Sequence, residues 1–176
     1  EGQLVQPGFQ VLTSADSGVR LQLSEGTVVR LSADSQFSLT KFEDKAPGDP
    51  YTLLKLDFGK VWTVLNGGSL EIETAGGVAS VRGSMIGLEM KAGQTTPTET
   101  CLEGTCTLKA GGVEINVAPG FAAAIPPGGG APAVTGEMSV ADAGAWATNA
   151  PEAIVAMPAV FPPDKLLSVV VALGDS

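Results

Sequence analysis

The chain has 176 residues, enough for one domain with a hydrophobic core, and its composition of 44% hydrophobic and 16% charged residues is that of a globular protein. A net charge of −9 at pH 7 argues against binding to nucleic acid or docking on an anionic membrane, because both need a cationic surface. The chain contains no histidine, which excludes Ser-His-Asp and Cys-His catalysis and His-ligated metal sites. We therefore expect neither enzymatic activity nor a cofactor.

The region from Val11 to Ile125 is predicted to be all-β. Short runs with alternating apolar residues, divided by glycine-containing turns about every eight to twelve residues, are typical of a sandwich, a barrel or a β-roll. We expect a β-roll or solenoid-like stack more than a Greek-key sandwich. The polar stretch Phe42–Tyr51 is predicted to be a surface loop. The runs are VRLQL (19–23), TVVRL (27–31), FSL (37–39), LLKLDFGKVWTVL (53–65), LEIET (70–74), VASVRG (78–83), MIGLEM (85–90), VEINV (113–117) and FAAAI (121–125).

Cys101 and Cys106 are the only cysteines of the chain. Two cysteines without histidine cannot complete a zinc site, and the redox motif has two intervening residues instead of four. If Glu103-Gly104 form the centre of a hairpin turn, Cys101 faces Cys106 at a Cα separation of about 4.5 Å, which a disulfide tolerates. The alternative is a pair of buried free thiols. A disulfide implies an oxidising compartment and therefore export.

The composition of the chain changes after the β region, which predicts a linker and then a helix. Residues 1–126 are predicted to form the β domain, 127–136 a Pro/Gly-rich linker, and 137–176 a short helix followed by an apolar tail. Ser139 and Asp142 have the spacing of a capping box, and Trp146 is expected to anchor the helix on the sheet. Pro151 is expected to open a second short helix.

The tail LLSVVVAL (166–173) is apolar and β-prone, but too short to span a bilayer. We expect it to be covered, either by its own sheet or by a second copy, which would make the protein a homo-oligomer through residues 166–173. The chain opens at Glu1 with neither Met nor an apolar leader, as a mature or cropped chain would. Any signal peptide or anchor would then have been left out.

Five stretches in order resemble the FecR-type domain, over about residues 4–126. The most specific is LEIETAGGVASVRGSMIGLEM (70–90), where Val81-Arg82-Gly83-Ser84 stands at the family's V-R-G-T. Three departures are Ala75 in place of Pro, Ser84 in place of Thr, and the two cysteines in place of apolar strand residues. The other stretches are VQPGFQVLTSADSGVRLQLSEGTVVRLSADSQFSL (5–39), LLKLDFGKVW (53–62), TETCLEGTCTL (98–108) and VEINVAPGFAAAI (113–125).

The resemblance implies a periplasmic or cell-surface all-β domain, in some members a signalling partner of outer-membrane receptors and anti-sigma segments. We therefore expect a non-catalytic interaction or signalling module of the cell envelope that binds another envelope protein. The alternative is a carbohydrate-binding module of a surface protein, which would need several exposed aromatic rings on one face.

Two residues are candidate partner contacts, Arg82 and Trp62. Arg82 could instead be tied to a carboxylate or to turn carbonyls, and Trp62 could pack in the core. The carboxylates Glu43, Asp44 and Asp49 could bind calcium, but a solvated acidic loop explains them better. Glu71 and Glu73 share a strand face, which by itself is weak evidence for a glycosidase.

Overall fold

A computed structural model describes residues 2–23 and 26–166 of the chain. The fold is all-β with a short C-terminal helical part, as the sequence predicts. The helical part includes α1 (Val140–Asn149), a 3₁₀ helix (Pro151–Ala156) and α2 (Met157–Val160), and residues 163–166 are helical as well. The strands are β1 (Gln10–Leu12), β2 (Val19–Gln22), β3 (Val28–Leu31), β4 (Gln36–Ala46), β5 (Asp49–Val64), β6 (Ser69–Glu73), β7 (Val78–Met90), β8 (Thr98–Ala110), β9 (Val113–Val117), β10 (Phe121–Ala124) and β11 (Ala133–Glu137).

The strands form two facing layers, because β5, β7 and β8 each change partners partway along their length. In layer 1 the order is β1, β4, the first half of β5, β6, the first half of β7, the second half of β8, and β9. In layer 2 it is β2, β3, the second halves of β5 and β7, the first half of β8, β10 and β11. Of the architectures expected, this one is sandwich-like.

The main core lies between the layers and follows from the alternation of each strand. Layer 1 contributes residues such as Leu54, Leu70 and Leu108, and layer 2 contributes Ile86 and Ala123, all at most 1% exposed. These positions follow the period of two that places every second side chain on one face.

Gly59 marks the point where β5 bends from one layer to the other. Its φ is +104°, and a Cβ there would collide with the Ser35 side chain. A residue with a side chain would therefore be strained and would also clash, so glycine is required at this corner.

The prediction of a surface loop over Phe42–Tyr51 is wrong. These residues extend the β4–β5 hairpin, with Phe42 paired to Thr52 and Glu43 to Tyr51, and the turn lies at Pro47-Gly48. Strand pairing uses backbone groups, so the polar side chains did not reveal it. The linker prediction also fails in part, because Ala133–Glu137 form β11 at the edge of layer 2.

The helical part covers the outer face of layer 2 and is called the cap below (residues 140–166). Ser139 and Asp142 form the predicted capping box of α1, and Pro151 opens the 3₁₀ helix. Trp146 is fully buried against the sheet, as predicted. Of the predicted tail, Leu166 packs against the cap cluster, and residues 167–173 lie outside the described residues.

Candidate partner-binding surface

The disulfide lies where β8 passes from one layer to the other. Cys101 and Cys106 are bonded, with their Cα atoms 5.9 Å apart, whereas five residues of extended strand span roughly 16 Å. The expected hairpin turn at Glu103-Gly104 is wrong. Both cysteines belong to one strand, and residues 102–105 form an irregular corner that stays paired with β7. The bond therefore closes a corner of the fold, and both cysteines are buried.

Arg82 lies in β7 next to that corner, opposite Ser69 on one side and Thr105 on the other. It is exposed, and within residues 2–23 and 26–166 no carboxylate or carbonyl binds its guanidinium. The structural alternative weighed from the sequence is therefore absent from this part of the chain. A contact between Arg82 and a partner stays a prediction.

Trp62 points away from the main core, into the cluster beneath the cap, and is 4% exposed. Its neighbours in that cluster include Met85, Leu102 and Trp146. The indole cannot stack on a sugar or meet a partner while the cap is in place. Trp146 and Tyr51 are buried as well, and Phe9, at 44%, is the one exposed aromatic residue among those described. The several exposed rings on one face that the carbohydrate-binding alternative needs are therefore not found in this part of the chain.

The cap is held on layer 2 by packing and by hydrogen bonds that the sequence did not reveal. Trp146 Nε1 donates to Thr100 Oγ1 at 3.1 Å, and its ring fits over Gly87, where a Cβ would lie 3.1 Å from the ring carbon Cζ2. Arg30 donates from Nε and Nη2 to both carboxylate oxygens of Glu152, at 3.0 and 2.7 Å. A paired guanidinium and carboxylate of this kind fixes the orientation of both groups.

The outer face of layer 1 carries charged side chains and has no helical cover among the described residues. Tyr51 donates to Glu71 at 3.1 Å, and burial, helped by the Glu71 carboxylate, raises the pKa of Tyr51 to about 12. Lys45 lies over the Tyr51 ring, 3.6 Å from its centroid. At Asp57, burial opposes ionisation, yet hydrogen bonds from Lys55 and Gln36 lower the pKa below its usual value.

The predicted acidic groups do not gather into a metal site. Glu43 is paired with Lys41 at 2.7 Å, and the described residues contain no group of three or more carboxylate or cysteine ligands close enough to hold an ion. Glu71 accepts a hydrogen bond from the Tyr51 hydroxyl. In the part of the chain that the structure describes, no helix is long and apolar enough to cross a membrane.

Counting only pairings within residues 2–23 and 26–166, four strands have one unpaired edge, and they differ in how well that edge is protected. β1 and β2 have only three and four residues, and β11 is bulged against β10 and contains Gly136 at a φ of +138°. β9 (Val113–Val117) has five residues in uninterrupted register with β8, and it contains no proline, lysine or glycine. Short length, bulges, proline and lysine are the usual protections of an edge, so β9 is the least protected.

The comparisons with known proteins match this all-β architecture. The sequence model of the family described as FecR protein matches residues 9–107, more than half of the chain. The chain therefore belongs to the FecR protein family, as the resemblance predicted. No curated protein sequence matches the chain.

Two crystal structures, at 2.50 and 1.65 Å, share the fold with a TM-score of 0.60. Both are of a protein described as a "putative anti-sigma factor" from Parabacteroides distasonis ATCC 8503. The identity is 14%, over 73% of this chain and 60% of that one, so the likeness establishes the fold alone. This chain thus spans about 60% of the length of its structural neighbour.

Proposed function

We propose that the protein is a non-catalytic module of the cell envelope that binds another protein through the free edge of β9. The family supports a signalling or regulatory role, and the structural neighbours are described as an anti-sigma factor, a class that acts by binding protein. The buried disulfide supports export, because such bonds persist in oxidising compartments.

The observation that carries the proposal is the unprotected, regular edge of β9. An extended segment of a partner can add to such an edge by backbone hydrogen bonds, while alternate side chains provide specificity. Val113, Ile115 and Val117 alternate toward the core, and Val113 is 43% exposed. Glu114 lies on the outer face beside them. We expect a partner strand with apolar residues at alternate positions and a basic residue near Glu114.

Capture from an envelope extract tests this proposal with a matched pair of variants. Val113→Lys places a charge on the β9 edge, and Val134→Lys places the same charge on the β11 edge, where the valine is 48% exposed. We expect Val113→Lys to abolish capture of the partner and Val134→Lys to leave it intact. The two variants should have similar melting temperatures, because both replaced valines are partly solvated.

The proposal is contradicted if Val113→Lys captures the same protein as the unaltered chain. Binding to specific glycans on an array, with no protein captured from the extract, would instead support the carbohydrate-binding alternative.

A further inference from the structure

The disulfide joins two residues that hold the two ends of the turn between β9 and β10. Cys106 is paired with Val117, the last residue of β9, and Cys101 is paired with Phe121, the first residue of β10. The carbonyl of Cys101 also accepts a hydrogen bond from Gly120 N at 2.8 Å. The bond between the cysteines therefore fixes where β9 ends in layer 1 and where β10 begins in layer 2.

Few other parts of the fold restrain β9. Within the described part of the chain its one partner strand is β8, and the half of β8 that it pairs with begins at Cys106. At its other end a turn at Gly111-Gly112 joins β9 to that same half of β8. The edge proposed above to bind a partner is therefore positioned by a segment whose start the disulfide fixes.

The effect of the bond is expected to be local. The two cysteines are only five positions apart, so the bond removes little conformational freedom from the unfolded chain. Both are buried in the main core, while Glu103, Gly104 and Thr105 between them are exposed.

Reduction changes the space that the two sulfurs need. A disulfide holds them within bonding distance, whereas two thiols pack at the longer distance of non-bonded contact. In a close-packed interior the extra space requires movement of the surroundings. The exposed corner and the edge strand β9 beside it are the least enclosed of those surroundings.

We propose that the Cys101–Cys106 bond is a redox-sensitive restraint on the β9 edge, so that the oxidised chain presents this edge to a partner strand and the reduced chain does not. Reduction by a dithiol transfers two electrons and two protons: the S–S bond breaks, both cysteines become thiols, and the dithiol becomes a disulfide. The inference rests on the function proposed above. Partner binding then begins only after the chain has reached an oxidising compartment.

Amide hydrogen exchange of the full chain, oxidised or reduced with dithiothreitol, tests the restraint without any partner. The chain has only these two cysteines, so the reagent can act on no other bond. On reduction we expect exchange over Val113–Val117 and the turn 118–120 to quicken about tenfold, and exchange in β2, an edge strand of layer 2, to change less than about twofold.

A variant that cannot form the bond gives the same comparison without a reductant. Exchange in β9 of Cys101→Ser/Cys106→Ser should be as fast as in the reduced chain, and dithiothreitol should not change it. Equal acceleration in β2 and β9 would overturn the inference, because the bond would then stabilise the fold as a whole. Unchanged exchange in β9 would overturn it as well.

Capture from the envelope extract separates this inference from the function on which it rests. We expect Cys101→Ser/Cys106→Ser to capture the partner at least about tenfold less well than the oxidised chain. If the double variant captures it equally well while Val113→Lys does not, the restraint is overturned and the proposed function stands. If Val113→Lys captures it too, the proposed function is overturned, and the exchange measurement still decides the restraint.

Discussion

Glu99 is an ionisable residue in a buried environment that disfavours its charged form. It is fully buried in β8, between Leu88 of β7 and Ala123 of β10, on the face that points into the main core. Neither carboxylate oxygen has a hydrogen-bond partner among the described residues, and burial raises the pKa of Glu99 to about 8. At neutral pH this carboxyl is therefore mostly protonated, because the charged form would be desolvated without compensation.

Glu99 should make the stability of the protein depend on pH above about 4.5. In the folded state its pKa is about 8, so it holds its proton up to about that pH, whereas in the unfolded chain it has the ordinary pKa of 4.5. The contribution of Glu99 to the free energy of unfolding is then fully present below pH 4.5 and is lost as the pH rises through 8. Glu99→Leu should remove this decline and raise the free energy of unfolding at pH 8 by roughly 4–5 kcal/mol, the linkage expected from a pKa raised by that amount, measured by urea unfolding.

Glu114→Leu is the matched control, because Glu114 is an exposed carboxylate on the neighbouring β9. That variant should retain the decline. A Glu99→Leu protein whose stability still falls between pH 5 and pH 8 as steeply as the unaltered chain would contradict this account of Glu99.

Glu152 contributes to the attachment of the cap through its two hydrogen bonds with Arg30. Those bonds lower the pKa of Glu152, so their contribution is present at neutral pH and is lost as the pH falls through that lowered pKa. Glu152→Gln should cost about 0.5–1 kcal/mol, given that the pair is partly solvated. Hydrogen exchange should quicken over residues 140–160. Glu43→Gln, which breaks the exposed pair with Lys41, should leave that exchange unchanged.

At the scale of elements, loosening of the cap can be followed by the fluorescence of the protein's own tryptophans. The chain has two tryptophans, and Trp62 lies beneath the cap anchored by Trp146. In Trp146→Phe and Trp146→Ala, Trp62 is the sole indole. We expect the emission of Trp62 to lie further to the red in Trp146→Ala, because loss of the anchoring ring, worth about 3–5 kcal/mol, loosens the cap. Identical spectra from the two variants would show that the cap does not depend on Trp146.

The sequence predicted those elements whose signals are local. α1 was found because Ser139 and Asp142 form a capping box, and most strands were found because their apolar residues alternate. The extension of β4 through Lys41–Ala46 was missed because its side chains are largely polar, and β11 was missed because proline and glycine surround it.

The candidate site was less predictable, because its features depend on contacts between distant residues. The Cys101–Cys106 bond was predicted from the sequence. Its place at a corner within one strand was not, because that corner arises where β8 changes its partner from β10 to β9, which is visible only in the fold. The burial of Glu99 could have been predicted, because it lies two residues before the buried Cys101 and therefore on the same face of β8. The pairing of Arg30 with Glu152, 122 positions apart, has no local signal.

At the scale of the whole molecule, the two layers differ in what covers them. The outer face of layer 2 carries the cap, whereas layer 1 ends at β9, whose second edge is unpaired in the described part of the chain. The proposed partner-binding edge therefore belongs to layer 1, and the disulfide corner and Arg82 lie on the nearby strands β8 and β7.

Amide hydrogen exchange of the protein with and without its captured partner tests this placement most directly. The account predicts that the partner slows exchange in β9, over Val113–Val117, while exchange in β2 and β11, the two edges of layer 2, stays as it is in the free protein. Slower exchange in β2, β11 or the cap, with β9 unchanged, would contradict it.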